Sequence, residues 1–375
     1  MKLPFQYGKL AEGFSFVNRE NEKQMLKNYL STGINTMLIS PRRLGKTSLV
    51  KAAMAELVNA KPDIKVCFID AYTIKSEEEF YRTFARELIK TVSNKWETWI
   101  TTAKKLLMAF SPKISIGADP ATDFTIGLEW KTIQENEMEL LNLPEKIAQT
   151  KKIRIVVCID EFQNLAKIKN FESFEQKMRA VWQHQQNVTY CLYGSKQHMM
   201  MDIFNSTSKP FYRFGQIMFL SKIAESEWVK YIVRSFEMTG KSISETLASD
   251  LVRMVDSHSW YVQQLAYFVW NLTEYEVNAE IMQQAIEQVV DANIPLYQKE
   301  CDELAASQLN LLIAIACNEQ CLTAVETLNK YNMGTPQNIS KNKKTLQNHD
   351  IIEKTKDGFT FLDPVFKRWF MKVYV

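Results

Sequence analysis

Ile39-Ser40-Pro41-Arg42-Arg43-Leu44-Gly45-Lys46-Thr47-Ser48-Leu49 is the stretch on which the fold turns. It follows a compact apolar run, NTMLIS at 35–40, and leads into a helical pattern from Lys46 to about Val58. Strand, loop, helix is the context in which G-x-x-x-x-G-K-[ST] carries meaning. One position departs from that pattern, where Ser40 replaces the first glycine. The chemistry behind the spacing is simple. The loop from Pro41 to Ser48 must curl its backbone N–H groups around a β-phosphate, and Gly45 permits that path. The helix that follows aims its positive end at the phosphates. Lys46 then reaches the β/γ-phosphates, and the Thr47 hydroxyl is a ligand for Mg²⁺. The bland alternative, a chance Gly-Lys-Thr at a helix start, lacks the preceding strand.

The partner half of such a site is expected at another strand end. IRIVVCID at 153–160 is the most apolar strand-like run in the chain, and it closes on Asp160-Glu161. Burying an acidic pair there is costly unless it binds something. Asp160 is expected to hold Mg²⁺, and Glu161 to polarise an attacking water. An acidic turn after a buried strand is the competing reading. Ser195, after VTYCLYG at 188–194, is either a γ-phosphate sensor or a turn serine. Arg213 in PFYRF is either a γ-phosphate finger or a surface arginine.

Working outward, KVCFIDAY at 65–72 and QIMFL at 216–220 read as further strands, and residues from Glu20 to about Leu30 as a helix. Ser76 and Glu79 have capping-box spacing, with Phe80, Phe84 and Leu88 recurring behind them. Ile114, Ile116, Phe124, Ile126 and Leu128 alternate around a Gly/Asp/Pro turn, which predicts a hairpin insertion. Apolar strands alternating with helices predict an α/β fold, a parallel sheet covered on both faces. From about Ser221 to Ile294 the pattern is helical only.

Composition excludes little but is consistent with this. The 375 residues exceed one ordinary core, and 46% apolar content argues against disorder. Net charge is only +3, so any nucleic-acid surface has to be local. Six cysteines without a Cys-x-x-Cys pair, and four histidines, speak against zinc. MKLPFQYGKL has no apolar signal core, and no run approaches the roughly 18 apolar residues of a membrane span, so a cytoplasmic, non-membrane protein is expected.

Four strings together resemble the archaeal-type ATPases of the STAND class of AAA+-related P-loop proteins: FVNRENE at 16–22, ISPRRLGKTSL at 39–49, VVCIDEFQNL at 156–165, and YGS at 193–195 with PFYRF at 210–214. The resemblance spans nearly the full length. It implies an ATPase core over 1–220 with an extra strand between the phosphate-loop strand and the Asp160 strand. A helical lid over 221–300 and a winged helix over 301–375 follow. It implies Phe16 and Arg19 near the adenine and ribose, Ser195 as the sensor, and ATP or ADP with Mg²⁺ as ligand. Two departures stand out: Asn18 where the family usually has glycine, and Ser257-His258-Ser259-Trp260 where its lids often carry Gly-x-Pro. His258 is expected as a solvated histidine at a helix end, with phosphate contact the alternative.

In the last segment, Thr335-Pro336 suits an N-cap with proline at the first helical position. The helix carries Lys341, Lys343 and Lys344. IIEKT and FTFL then flank Lys356-Asp357-Gly358, a hairpin turn signal. Helix, helix, hairpin is a winged-helix pattern, and Asp363-Pro364 starts a final helix. Two functions follow. One is a slow, nucleotide-controlled switch acting on a protein partner. The other is a DNA-associated ATPase whose lysine helix enters the major groove, with Lys354 or Lys356 on phosphate. Oligomeric state is open, as is whether Arg213 serves its own subunit or a neighbour's.

Overall fold

The computed structural model describes residues 3–9, 13, 16–92, 115–119, 122–127, 130–355 and 358–375. Within it two compact units separate: Arg19–Arg42 with Lys46–Leu220, and Met1–Asn18 with Arg43–Gly45 and Ser221–Val375.

The first unit is built on β1 (Thr36–Ile39), β2 (Ile64–Asp70), β5 (Arg154–Asp160), β6 (Val188–Gly194) and β7 (Gln216–Phe219), all parallel, in the order β2-β5-β6-β1-β7. β6 lies between β1 and β5, which is the inserted strand that the resemblance implies. Every residue of β6 is buried, as a central strand covered on both faces requires. Alternate residues, among them Met37, Cys67, Val157 and Leu192, share a core with Phe80, Phe84, Ile147, Phe174 and Trp182 from helices. Trp182 stacks on Tyr190 with ring centroids 4.1 Å apart. Helices Glu20–Ser31 and Lys46–Ala60 pack on each other and on the sheet.

The helix Glu77–Val92 shows how closely local chemistry tracks sequence. Ser76 Oγ accepts the Glu79 N–H at 3.2 Å, as the capping box predicts. Glu79 returns its carboxylate to the N–H of Lys75, one residue earlier than that motif specifies. Phe80, Phe84 and Leu88 are fully buried. The predicted hairpin is present as β3 (Ser115–Asp119) and β4 (Thr122–Gly127), with Ile116 opposite Ile126. Ile114 and Leu128 lie outside the described residues. One carboxylate in this unit is out of the ordinary. Glu175, in the helix Phe171–Trp182, is 0% exposed, and among the described residues neither oxygen receives a hydrogen bond of good geometry.

The second unit has one continuous core running from Phe5 through the helices Glu225–Glu237, Glu245–Met254, Ser259–Leu272 and Ala279–Asp291 to Phe370. Phe5 packs on Tyr231 and Phe236, and Tyr231 donates to the Pro4 carbonyl at 2.8 Å. Ser244 and Asn278 cap their helices through N–H groups of Leu247 and Ile281. Helices Ala306–Ala316, Val325–Lys330 and Pro336–Asn348 lead to the antiparallel pair β8 (Ile352–Thr355) and β9 (Gly358–Phe361) and a last helix, Pro364–Tyr374. Thr335 caps its helix by accepting the Asn338 N–H, as the sequence predicts. Lys356 and Asp357 lie outside the described residues.

Cys67, Cys158, Cys191 and Cys301 are buried, while Cys317 and Cys321 are exposed. Among the described residues no His/Cys/Asp/Glu cluster forms a metal site, and no helix is long and apolar enough to cross a membrane.

Candidate functional site

In a parallel sheet the carboxyl ends of the strands lie along one edge, where ligands are held. β1 ends at Ile39 opposite Gly194 of β6, and β5 ends at Asp160 beside Asp70 of β2. Three strand ends thereby deliver Ser40, Asp160 and Ser195 to the same edge.

Ser40 is fully buried. Its N–H donates to the Gly194 carbonyl at 3.3 Å and its hydroxyl to the Pro41 carbonyl at 2.9 Å. Its φ is not positive, so the serine that stands in for glycine carries no left-handed backbone strain. Gly45 does need its freedom, at φ 89°. Arg43 adopts φ 63° without that freedom, and its guanidinium lies 4.9 Å from the Trp260 ring within the second unit.

Lys46, the first residue of its helix, is buried and points its ammonium at the acidic strand end. Nζ donates to Asp160 Oδ1 at 2.5 Å and to Glu161 Oε1 at 3.2 Å. Thr47 Oγ1 donates to Asp160 Oδ2 at 2.8 Å. Ser195 Oγ donates to Glu161 Oε2 at 2.9 Å. Lys46, Thr47, Asp160, Glu161 and Ser195 therefore form one hydrogen-bonded group. Burial works against the Glu161 charge, but Lys46, Gln163 and Ser195 outweigh it and hold the carboxyl below its ordinary range. Two carboxylates against one ammonium leave a single negative excess. With hard oxygen donors on Thr47 and Asp160, that donor set fits a Mg²⁺ ion shared with phosphate oxygens.

The other predicted site residues are more dispersed. Arg19 is 4% exposed, at φ 94°, and its guanidinium pairs with Glu22 at 3.0 Å. Phe16 belongs to the second unit, its N–H bonded to the Gly13 carbonyl. Leu44 and Ser48 are buried, Pro41 is half-buried and Arg42 is exposed. Arg213 is exposed, at φ 53°, with its guanidinium 5.2 Å from the Tyr212 ring. It makes none of the hydrogen bonds that tie the Lys46 group together.

His258 corrects an expectation. It is not solvated but buried, its ring 5.1 Å from that of Tyr261. The next turns form an apolar helix, and the imidazole goes into the core with them. Lys343 likewise leaves the lysine row: its ammonium lies 4.8 Å from the Phe359 ring, and burial, then Lys354, lower its pKa. Lys341, Lys344 and Lys354 remain exposed.

Three residues near the cluster escape a sequence reading. Tyr193 presents its ring 4.7 Å from Lys46 Nζ, though its position reads as ordinary strand core. Asp70 reaches the same edge, its Oδ1 taken by the Tyr72 N–H. Gln163, 1% exposed in the 3₁₀ turn Phe162–Lys167, donates Nε2 to Glu161 Oε2. The signal for Gln163 in the sequence is its place in the Asp160-Glu161-Phe162-Gln163 string, which carries part of the resemblance without giving Gln163 a role.

Comparison with known proteins agrees with this frame. No curated protein matches the chain. Among solved structures it is similar to the Walker-type ATPase paby2304 of Pyrococcus abyssi, at 17% identity and TM-score 0.68, covering 98% of this chain and 99% of that one. It is also similar to the Aeropyrum pernix ORC2 protein, solved in ADPNP-ADP complexes, at 13% identity and TM-score 0.60, covering 99% and 96%. At such identities these likenesses speak to fold. Residues 295–372 match the family described as a probable winged helix domain. Residues 16–265 match the ATPase domain family found predominantly in Archaea, and to that family the chain belongs.

Proposed function

We propose that the chain binds ATP with Mg²⁺ at the Lys46–Asp160 group and hydrolyses it to ADP and phosphate. The observation that carries this reading is the single network joining Lys46, Thr47, Asp160, Glu161 and Ser195 from three strand ends. Lys46 would exchange its carboxylate partners for β/γ-phosphate oxygens, and the backbone from Pro41 to Gly45 would cradle the β-phosphate. Thr47 Oγ1 and Asp160 are the groups that would hold Mg²⁺, whose charge, when bound, offsets that of the phosphates. Glu161 orients a water and takes its proton on a carboxylate oxygen, and Ser195 holds that carboxylate in place. Catalysis of this kind is positioning plus charge stabilisation. Arg213 is kept as a γ-phosphate finger, and Phe16 and Arg19 as adenosine contacts.

Lys46→Ala is expected to abolish tight nucleotide binding. Glu161→Gln is expected to keep binding while stopping phosphate release. Normal hydrolysis by Lys46→Ala would refute the site.

In this reading the helices of 221–300 act as a lid and 301–375 as a winged helix, with the nucleotide state controlling a protein partner. Exposed Lys341, Lys344 and Lys354 favour a second reading in which the winged helix contacts duplex DNA. Stimulation of turnover by duplex DNA at moderate salt supports that reading. No binding at low salt removes it.

A further inference from the structure

Glu161 has two oxygens with different company. Among the described residues Oε1 accepts only from Lys46, whereas Oε2 accepts from Ser195 Oγ and from Gln163 Nε2. If Lys46 turns to phosphate, Oε1 is released to a water and Oε2 stays anchored. The anchor on the Gln163 side carries a visible cost. Gln163 is almost wholly buried, and its Oε1 accepts no hydrogen bond among the described residues. An unmet acceptor in the interior is unfavourable and calls for a reason. Turning the amide over would set Oε1 against the Glu161 carboxylate, acceptor against acceptor, so the charge on Glu161 dictates the orientation.

Gly194 supplies the space. A Cβ at residue 194 would stand 1.9 Å from Gln163 Oε1, 3.0 Å from its Cδ and 2.9 Å from Met200 Sδ, with the Gln163 oxygen much the nearest. The φ of Gly194 is not in the left-handed region, so it is room, first for the carboxamide and then for the Met200 sulfur, and not backbone freedom, that requires glycine there. Three residues of two strand ends thus cooperate: Gly194 admits Gln163, and Gln163 and Ser195 together fix Glu161.

We propose that Gln163 is a positioning residue for hydrolysis, holding Glu161 by Oε2 so that Oε1 is the atom presented to water, and that Gly194 exists to admit it. The inference rests on Glu161 being the group that polarises water.

The test is steady-state ATP turnover and fluorescent-nucleotide binding on the full chain, with E161Q as reference. Q163A is expected to lower kcat about 10- to 100-fold, the scale set by loosening a catalytic group, while KM and nucleotide affinity stay within about twofold. G194A is expected to lower kcat similarly, since its nearest clash is with the carboxamide and the Met200 sulfur needs to give only slightly, and the G194A/Q163A double variant to lose little more than either alone. Q163E keeps the shape of the side chain but places a second carboxylate beside Glu161, next to Lys46 and Ser195. It is expected to work best at low pH, where the new group carries a proton to donate, and to lose turnover as pH rises. Wild-type kcat in Q163A, or a Q163E pH profile of wild-type shape, overturns the proposal. So does a loss in Q163A that falls on nucleotide affinity instead of kcat. If those results come with an inactive E161Q, only the role of Gln163 falls; if E161Q turns over normally, the assignment of Glu161 falls first.

Discussion

Replacing Glu175 with glutamine is expected to stabilise the protein at pH 8 and to change it little at pH 5. Burial is the main reason its carboxyl is pushed up to about 7 from an ordinary 4.5. Lys209 and the Phe211 backbone N–H favour the charge, and Glu172 and Asp202 oppose it. The sign follows from linkage. A carboxyl that holds its proton more tightly when folded adds stability that is fully present below about 4.5, the unfolded value. That contribution is lost as pH rises through about 7. The interval from 4.5 to about 7 is worth on the order of 3 kcal/mol, at about 1.4 kcal/mol per pH unit. Glutamine mimics the protonated acid and cannot ionise, so it escapes the loss. Guanidinium unfolding of both proteins at several pH values gives the difference directly, and groups common to both cancel. The stability gap, variant minus wild type, should open from under about 1 kcal/mol at pH 5 to about 3 kcal/mol at pH 8. A gap independent of pH, or a less stable variant at pH 8, would refute the reasoning.

Two further outcomes are expected. Asp363 accepts N–H groups of Val365 and Phe366 and also the Tyr261 hydroxyl, so Asp363→Ala should cost about 1–3 kcal/mol in the same unfolding assay, with Asp363→Asn recovering part of it. If the winged helix binds duplex DNA, Lys341→Ala with Lys344→Ala should reduce the slope of log affinity against log salt by roughly 0.9 for each phosphate left without its lysine, while Lys343→Ala, its ammonium over Phe359, should leave that slope unchanged in fluorescence anisotropy titrations.

Much of this molecule is legible locally. The apolar runs before Ser40, Asp160 and Ser195 have the length and composition of buried strands, and the parallel sheet follows from their alternation with helices. Caps at Thr335 and at Ser76 are legible because the partners lie three residues away. What stays hidden depends on neighbours distant in sequence. Nothing near Gln163 says that Gly194 leaves a space for it. Nothing near Lys343 announces Phe359, nor does the sequence around His258 announce a buried ring. Tyr193 reads as apolar filling, because only the sheet order brings Lys46 under its ring.

The pairing of β1 has a consequence for how the chain is made. This four-residue strand is held on one side by β6 and on the other by β7, the latter some 180 positions downstream by register. Closing so long a loop before any pairing rewards it is slow. During synthesis the strand before the Lys46 turn has no neighbour until β6 is complete at residue 194, and its other side stays open until residue 219 has left the ribosome, so a fragment ending short of β7 carries the whole glycine-lysine-threonine string on a strand paired along one side only.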